Sequence, residues 1–389
     1  MRGFCDSLSP AQRLLCEAIG GAPENRIAAA RRLLQEVGDQ TAFDLAQANG
    51  VAPIVAHALI DALGLNSVSN HWRQAHEANY RRVSSYLDEL DHIAAWLAEE
   101  NIQVVALKNG GIARGIYRCP GCCPMGDLDV LIEKSHFRRS HRILLDKGYR
   151  FEFRSPLEKP DLEFAERNGS AEYRKVLPNG ETLWLELQWR PVAGRWIRPD
   201  QEPLAEELIA RSMPIPSTAV RLLAPEDNLI QVALHTAKHS YVRSPGFRLH
   251  LDIDRIVRYQ TVNWHLFLSC VLALQVKTPV YFSLAIPKAL FNTPIPDEVL
   301  GRLRPPPWKE RLIMRWLERV GLFNPDERKF SNAGFIVFSA LLYDDLRGFW
   351  RAIFPPAKWM HQRYGFRSKL FLPFYHARRL AELIWQRML

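Results

Sequence analysis

Cysteine is scarce. The chain has six in 389 residues (Cys5, Cys16, Cys119, Cys122, Cys123 and Cys270), too few for the disulfide framework of a small secreted scaffold, so reduced thiols are expected. Long apolar runs are missing as well. The longest, Leu266 to Val276 and Gly334 to Tyr343, fall well short of the roughly 20 residues a membrane span requires, and the opening MRGFCDSLSPAQ carries no apolar signal core. These absences predict a cytoplasmic protein that does not span a membrane. Three catalytic signatures are absent too. No G-x-x-x-x-G-K-[ST] occurs, which disfavours a P-loop kinase; no G-x-G-x-x-G follows a strand, which disfavours a Rossmann enzyme; and no G-x-S-x-G elbow supports a serine hydrolase. No internal repeat is visible.

Apolar residues at 47% and charged residues at 24% are the proportions of an ordinary globular protein, and the length implies about two to three domains. The net charge of +9 is unevenly spread. From Leu346 to Leu389 there are nine Lys/Arg and one acid, interleaved with ten aromatics. That mixture fits an interfacial helix on anionic lipid at the inner membrane face, and it fits a phosphate-tracking surface for RNA. The preferred reading is a helical cap whose aromatics pack inward while the arginines stay wet.

Apolar positions recur at helical spacing in Ile27 to Val37 and in Tyr80 to Ala98. At Asn101 the pattern changes to a β-branched run ending at Lys108-Asn109-Gly110-Gly111, after which helical spacing resumes. A strand follows at Asp127 to Glu133, then a helix from Ser135, taken as its N-cap, to Lys147, and a strand near Arg150 to Arg154. Next comes a hairpin, Glu172 to Val176 and Thr182 to Trp189, around the Pro178-Asn179-Gly180 turn. Helical periodicity returns through Asn228 to Ser240. The plan is α+β: a small mixed-sheet core over 99–200, a helical region over 1–98 and a second over 201–389 that ends in the basic aromatic tail.

Strands alternate their side chains, so in Asp127-Leu128-Asp129-Val130-Leu131-Ile132 the two carboxylates share one face. In Leu183 to Trp189 the odd positions are all apolar, which puts Glu186 on the opposite face. Three convergent carboxylates in a half-buried sheet repel one another, and such a cluster points to divalent cations. Hard oxygen ligands imply Mg²⁺ or Mn²⁺. Gly110-Gly111, between strand and helix, offers backbone N–H groups to an anion and suits a nucleoside triphosphate. With 42 acids, chance alone supplies about four or five acid-x-acid triplets, and Asp252-Ile253-Asp254 is a rival. The order of the pieces separates the two, because only Asp127-Leu128-Asp129 follows a glycine turn at a distance of fifteen residues.

Cys119-Pro120-Gly121-Cys122 has a spacing that can chelate zinc, but no second ligand pair follows at zinc-finger spacing, so it reads as a loop with incidental thiols. His235 and His239, one helical turn apart, lack H-E-x-x-H and read as packing or nucleotide contacts rather than metal ligands.

Ala106-Leu107-Lys108-Asn109-Gly110-Gly111, Tyr117 and Pro124-Met125-Gly126-Asp127-Leu128-Asp129-Val130-Leu131 together resemble the polymerase-β-like nucleotidyltransferase superfamily, in its branch of bacterial putative nucleotidyltransferases. The likeness extends to Ala48 to Pro53, Glu186 to Trp189 and Leu234 to His239. It departs at Cys123, where the family often carries Arg, and at Gln188, where it often carries His. The resemblance implies transfer of a nucleoside monophosphate from an NTP, ATP by default, to a hydroxyl or phosphate of a small molecule, lipid-linked sugar or protein, with release of pyrophosphate. It implies Mg²⁺ held by Asp127, Asp129 and Glu186, and nucleotide contacts from Lys108, Gly110, Gly111 and Lys238. RNA as acceptor, or a non-catalytic nucleotide-binding module, are the alternatives.

Overall fold

Helices α1 (Pro10–Ile19), α2 (Pro23–Val37), α3 (Asp39–Ala48), α4 (Ala52–Leu63) and α5 (Asn70–Ala98) open the chain. The computed structural model describes residues 7–117, 119–155, 160–192, 197–366 and 368–388, so Cys5 lies outside the described residues. Local chemistry sets the helix starts. The Ser9 hydroxyl accepts from the Gln12 amide at 3.2 Å while the Gln12 side chain accepts from the Ser9 amide at 3.0 Å, a reciprocal cap on α1. Pro10, Pro23 and Pro53 each occupy a first turn, where no backbone donor is needed.

Strands β1 (Val104–Leu107), β2 (Leu128–Leu131), β3 (Arg150–Phe151), β4 (Ser170–Val176), β5 (Thr182–Gln188), β6 (Met213–Pro214) and β7 (Val220–Leu222) form one mixed sheet in the order β3-β4-β5-β2-β1-β7-β6. β1 runs antiparallel to β2 and parallel to β7, and β2 runs parallel to β5. The sheet therefore does not stop at residue 200, because β7 adds to the free edge of β1. Between β1 and β2 lie a single helical turn, α6 (Lys108–Gly111), and a π-helical continuation, Ile112–Ile116. The helices α7 (Phe137–Asp146), α8 (Leu162–Asn168) and α9 (Ala205–Arg211) complete this part. Ser135 does not cap α7: it lies in a 3₁₀ turn, Lys134–His136, with its hydroxyl 3.4 Å from Glu133 Oε2. The helical remainder is α10 (Pro225–Lys238), α11 (Arg248–Tyr259), α12 (Trp264–Ala273), α13 (Lys277–Phe291), α14 (Asp297–Leu303), α15 (Pro307–Val320), α16 (Asn332–Leu341), α17 (Leu346–Ile353), α18 (Ala357–Tyr364) and α19 (Leu372–Met388). Among the described residues no helix is long and apolar enough to cross a membrane.

Alternation sorts the sheet's side chains. Val104, Ala106, Leu128, Val130, Leu183, Leu185 and Leu187 face one core with the second half of α5 (Val83 to Leu97). Val105, Leu107 and Leu131 face the other side against Ala205, Leu208 and Ile209 of α9. The first half of α5, through Trp72, joins a separate core in which the leading helices pack directly on α10 to α13. One long helix thus ties the leader to both the sheet and the C-terminal half.

The tail is only partly a cap. Met360 and Phe366 are buried, whereas Trp350, Phe354, Phe371 and Phe374 are exposed, and Trp350 stacks on Phe354 with ring centroids 5.7 Å apart. The side chains of residues 382–389, Trp385 among them, lie outside the described residues.

α11 carries a titration consequence. His250 is fully buried and its Nε2–H donates to the Tyr241 carbonyl at 3.0 Å. Burial disfavours the charged ring and lowers its pKa to about 4. Its contribution is fully present above the unfolded value of about 6.5 and is lost as pH falls toward 4. Between those limits it amounts to about 3 kcal/mol, or about 1.4 kcal/mol per pH unit. Urea denaturation across pH 7 to 4 should show His250→Asn with a slope of stability on pH shallower by that amount; an unchanged slope would contradict the assignment.

Candidate active site

The register of the sheet builds the site. Asp129 on β2 lies directly opposite Glu186 on β5, and Glu186 lies opposite Glu172 on β4, so three carboxylates line up across one face. Gln188 is the next residue of β5 on that face, and its Nε2 donates to Asp129 Oδ1 at 2.7 Å. Gln188 is therefore in contact with a carboxylate of the site.

Lys108, the first residue after β1, has φ at +51°, a left-handed backbone that a lysine adopts at a cost of about 1–3 kcal/mol. Its ammonium reaches Asp129 Oδ1 at 2.5 Å and lies 3.7 Å from Glu186 Oε2. Burial alone would lower its pKa, but Asp129, then Glu186 and Asp127, hold the charge well above the ordinary lysine range. Asp129, 4% exposed, is pushed up chiefly by burial, against the pull of Lys108, and further by the charges of Asp127 and Glu186. Glu186 is half-buried, which would raise its pKa, yet Lys108 and Lys238, with Asp129 and Ser170 beside it, hold it below the ordinary carboxylate range. The two carboxyls opposed in register thus shift in opposite directions, Glu186 downward and Asp129 upward.

Asp127 stands apart. It precedes β2, and its Oδ2 pairs with Arg154 Nη2 at 2.7 Å. Arg154 Nε also lies 3.5 Å from Glu172, and its guanidinium sits over the Trp184 ring at 5.9 Å. The structure therefore brings Asp129, Glu186 and Lys108 together and turns Asp127 toward an arginine just past β3.

The two glycines differ in what they require. A Cβ on Gly111 would stand 2.7 Å from the Ala106 carbonyl oxygen, so close packing of α6 on β1 excludes any side chain there. A Cβ on Gly110 would meet only Leu128 at 3.5 Å, an ordinary contact. Both are buried in α6.

The last turn of α10 closes the site on the Lys108 side. Lys238 is largely buried, with its ammonium 3.5 Å from the Val192 carbonyl; burial and Lys108 lower its pKa while Glu186 and Asp129 oppose them. His235 is held well below the ordinary histidine range by burial, Lys108, His239 and Lys238, and so is neutral. His235 and His239 meet edge to face at 4.7 Å. Past this end of α10 a cavity of about 530 Å³ is lined by His239, Arg243, Arg328 and Lys329. The rival Asp252-Ile253-Asp254 lies on a helix, so its acids diverge: Asp252 receives the Asn109 amide at 3.1 Å, and Asp254 receives Arg258 at 2.8 Å. Sequence reading missed Arg154, Glu172 and Asn109. Glu172 had a signal, since the Asn-Gly turn sets the hairpin register that opposes it to Glu186.

The family described as uncharacterised nucleotidyltransferase matches residues 35–292, well over half of the chain. The chain belongs to that family. No curated protein and no solved structure matches it. As a nucleotidyltransferase it is an enzyme, a transferase, and the matched span runs from the end of α2 through α13, so it takes in the whole sheet and every site residue described above. The basic aromatic tail lies beyond it.

Proposed function

We propose that this nucleotidyltransferase moves the NMP group of an NTP, ATP by default, to a hydroxyl or phosphate of a small-molecule, lipid-linked sugar or protein acceptor. An acceptor oxygen forms its bond to the α-phosphorus as the bond to pyrophosphate breaks. The observation that carries the reading is the pair Asp129 and Glu186, opposed in register, the first buried and the second mostly so. Two buried carboxyls in contact need a cation or a proton between them, and an all-oxygen donor set suits Mg²⁺ or Mn²⁺. Asp127, Asp129 and Glu186 are the residues that would hold it. When bound, the ion supplies charge for the leaving pyrophosphate and acidifies the attacking hydroxyl.

The chain's own groups account for the rest. Lys108, now 2.5 Å from Asp129, is the nearest cation for the triphosphate once the carboxylates are otherwise neutralised. Lys238 adds a second positive charge in the same buried corner. Neutral His235, on the same helix as Lys238, adds no third positive charge to that corner.

Thermal unfolding with each of the four NTPs, with and without Mg²⁺, tests this without an acceptor. A nucleotide at a hundred times its Kd should stabilise the fold by about 2.7 kcal/mol, raising Tm by about a few degrees. The shift should need Mg²⁺ and should vanish in Asp127→Asn/Asp129→Asn. Folded protein that responds to no nucleotide would overturn the proposal.

A further inference from the structure

Four soft and borderline donors meet outside the carboxylate cluster. Cys119 precedes the 3₁₀ turn Pro120–Cys122 and Cys122 ends it, with the Cys122 amide donating to the Cys119 carbonyl at 2.9 Å and their sulfurs 2.8 Å apart. His57 comes from α4 and His76 from α5, their rings stacked at 5.4 Å. One donor atom from each of the four lies within 4.8 Å of every other, and this is the one such group among the described residues. We propose that His57, His76, Cys119 and Cys122 bind a structural Zn²⁺ ion in a tetrahedral two-sulfur, two-nitrogen site.

The surroundings fit a ligand shell rather than incidental packing. The His76 Nε2 is buried without a hydrogen-bond partner. A Cβ on Gly121 would stand 2.3 Å from that nitrogen, so only glycine lets the ring approach the turn. One helical turn past His76, Asn79 donates to the Pro120 and Gly121 carbonyls at 3.2 and 2.9 Å and clamps the loop to α5. Asp61, one turn past His57, places a carboxylate 3.6 Å from His57 Nε2, the kind of partner that orients a ligating imidazole.

A tetrahedral zinc with bonds of about 2.0 Å to nitrogen and about 2.3 Å to sulfur needs donors about 3.3 to 3.8 Å apart, so side-chain adjustments of about 1 Å seat it. The mixed donor set selects zinc over the hard cations suited to the carboxylates. The second ligand pair is not downstream of the C-x-x-C but upstream, one histidine on each helix of an adjacent pair. An ion here would fasten α4 and α5 to the loop that leads into β2. That loop is already held from the other side, where Arg255 donates to the Cys122 carbonyl at 2.7 Å and to the Cys123 sulfur at 3.4 Å.

The test uses the full chain purified under reducing conditions. Elemental analysis should find one equivalent of zinc that survives dialysis and is released by a mercurial. Growth with cobalt should give the thiolate-to-metal charge-transfer and visible bands of a tetrahedral two-sulfur site, and His57→Gln/His76→Gln should weaken or abolish them. Stripping the metal from the wild type should lower Tm by several degrees, and zinc should restore it; these wild-type readouts hold even if a variant fails to fold. Folded, reduced protein with neither zinc nor cobalt bands would overturn the assignment, as would a Cys119–Cys122 disulfide in the intact mass of freshly isolated protein. Full zinc content in the double histidine variant would also overturn it.

Discussion

Asp129→Asn is expected to lower nucleotidyl transfer by about 10³-fold while leaving the protein folded. Asparagine keeps the shape and still accepts from Gln188 and Lys108, which now reach Asp129 Oδ1 at 2.7 and 2.5 Å. What it removes is a negative charge. Burial already raises the Asp129 pKa, so the fold itself favours a neutral group there and Tm should change little. A cation and a triphosphate, by contrast, require the charge. Transfer measured as label passed from α-labelled NTP to acceptors in a cell extract, beside a melting curve, separates the two effects. Activity within tenfold of wild type, in folded protein, would refute the role.

Asp252→Ala should do the opposite, costing about 3–5 kcal/mol of stability. Asp252 is 4% exposed, and its charge favours the charged forms of buried Arg255 and half-buried Arg248. Burial raises its own pKa to about 6, against the pull of Arg255 and Arg248. Arg255 also lies over the Tyr117 ring at 4.3 Å. Without the carboxylate the buried Arg255 guanidinium loses its nearby negative charge, and the Asn109 side-chain amide loses the carboxylate that lies 3.1 Å away. Urea denaturation reads the loss directly. A change below about 1 kcal/mol would mean that water replaces the carboxylate, against the geometry. The two acid-x-acid triplets thus separate by experiment: loss of transfer is the expected result at one and loss of stability at the other.

Much of the sheet was legible because it is buried on one side. In β5 the apolar residues Leu183, Leu185 and Leu187 face a single core, so Glu186 had only one place to go. The hairpin was legible from its turn, since Gly180 at φ +84° closes it and aligns Val176 with Thr182. The same register carries Glu172 to Glu186, a consequence readable from the sequence and not read. Other expectations rested on residue type without a partner. Ser135 is a good cap residue, but the chain tightens into a 3₁₀ turn around it and helix α7 starts at Phe137. The boundary at residue 200 came from a change of periodicity, which cannot register that the three residues of β7 add to the edge of β1.

Alternation, turn chemistry and the glycine step from strand to helix act between residues a few positions apart, and these the sequence determined by itself: an α+β chain with Asp129 and Glu186 on one face of its sheet. Tertiary structure decided which charges meet that face. Lys108 reaches it because its backbone turns left-handed, Arg154 takes Asp127 away from it, and Lys238 arrives from a helix more than a hundred residues downstream of β1. The His57, His76, Cys119 and Cys122 cluster is of the same kind. Its members lie on two helices and a loop whose proximity follows from how α4 and α5 pack, and no spacing along the chain encodes that distance.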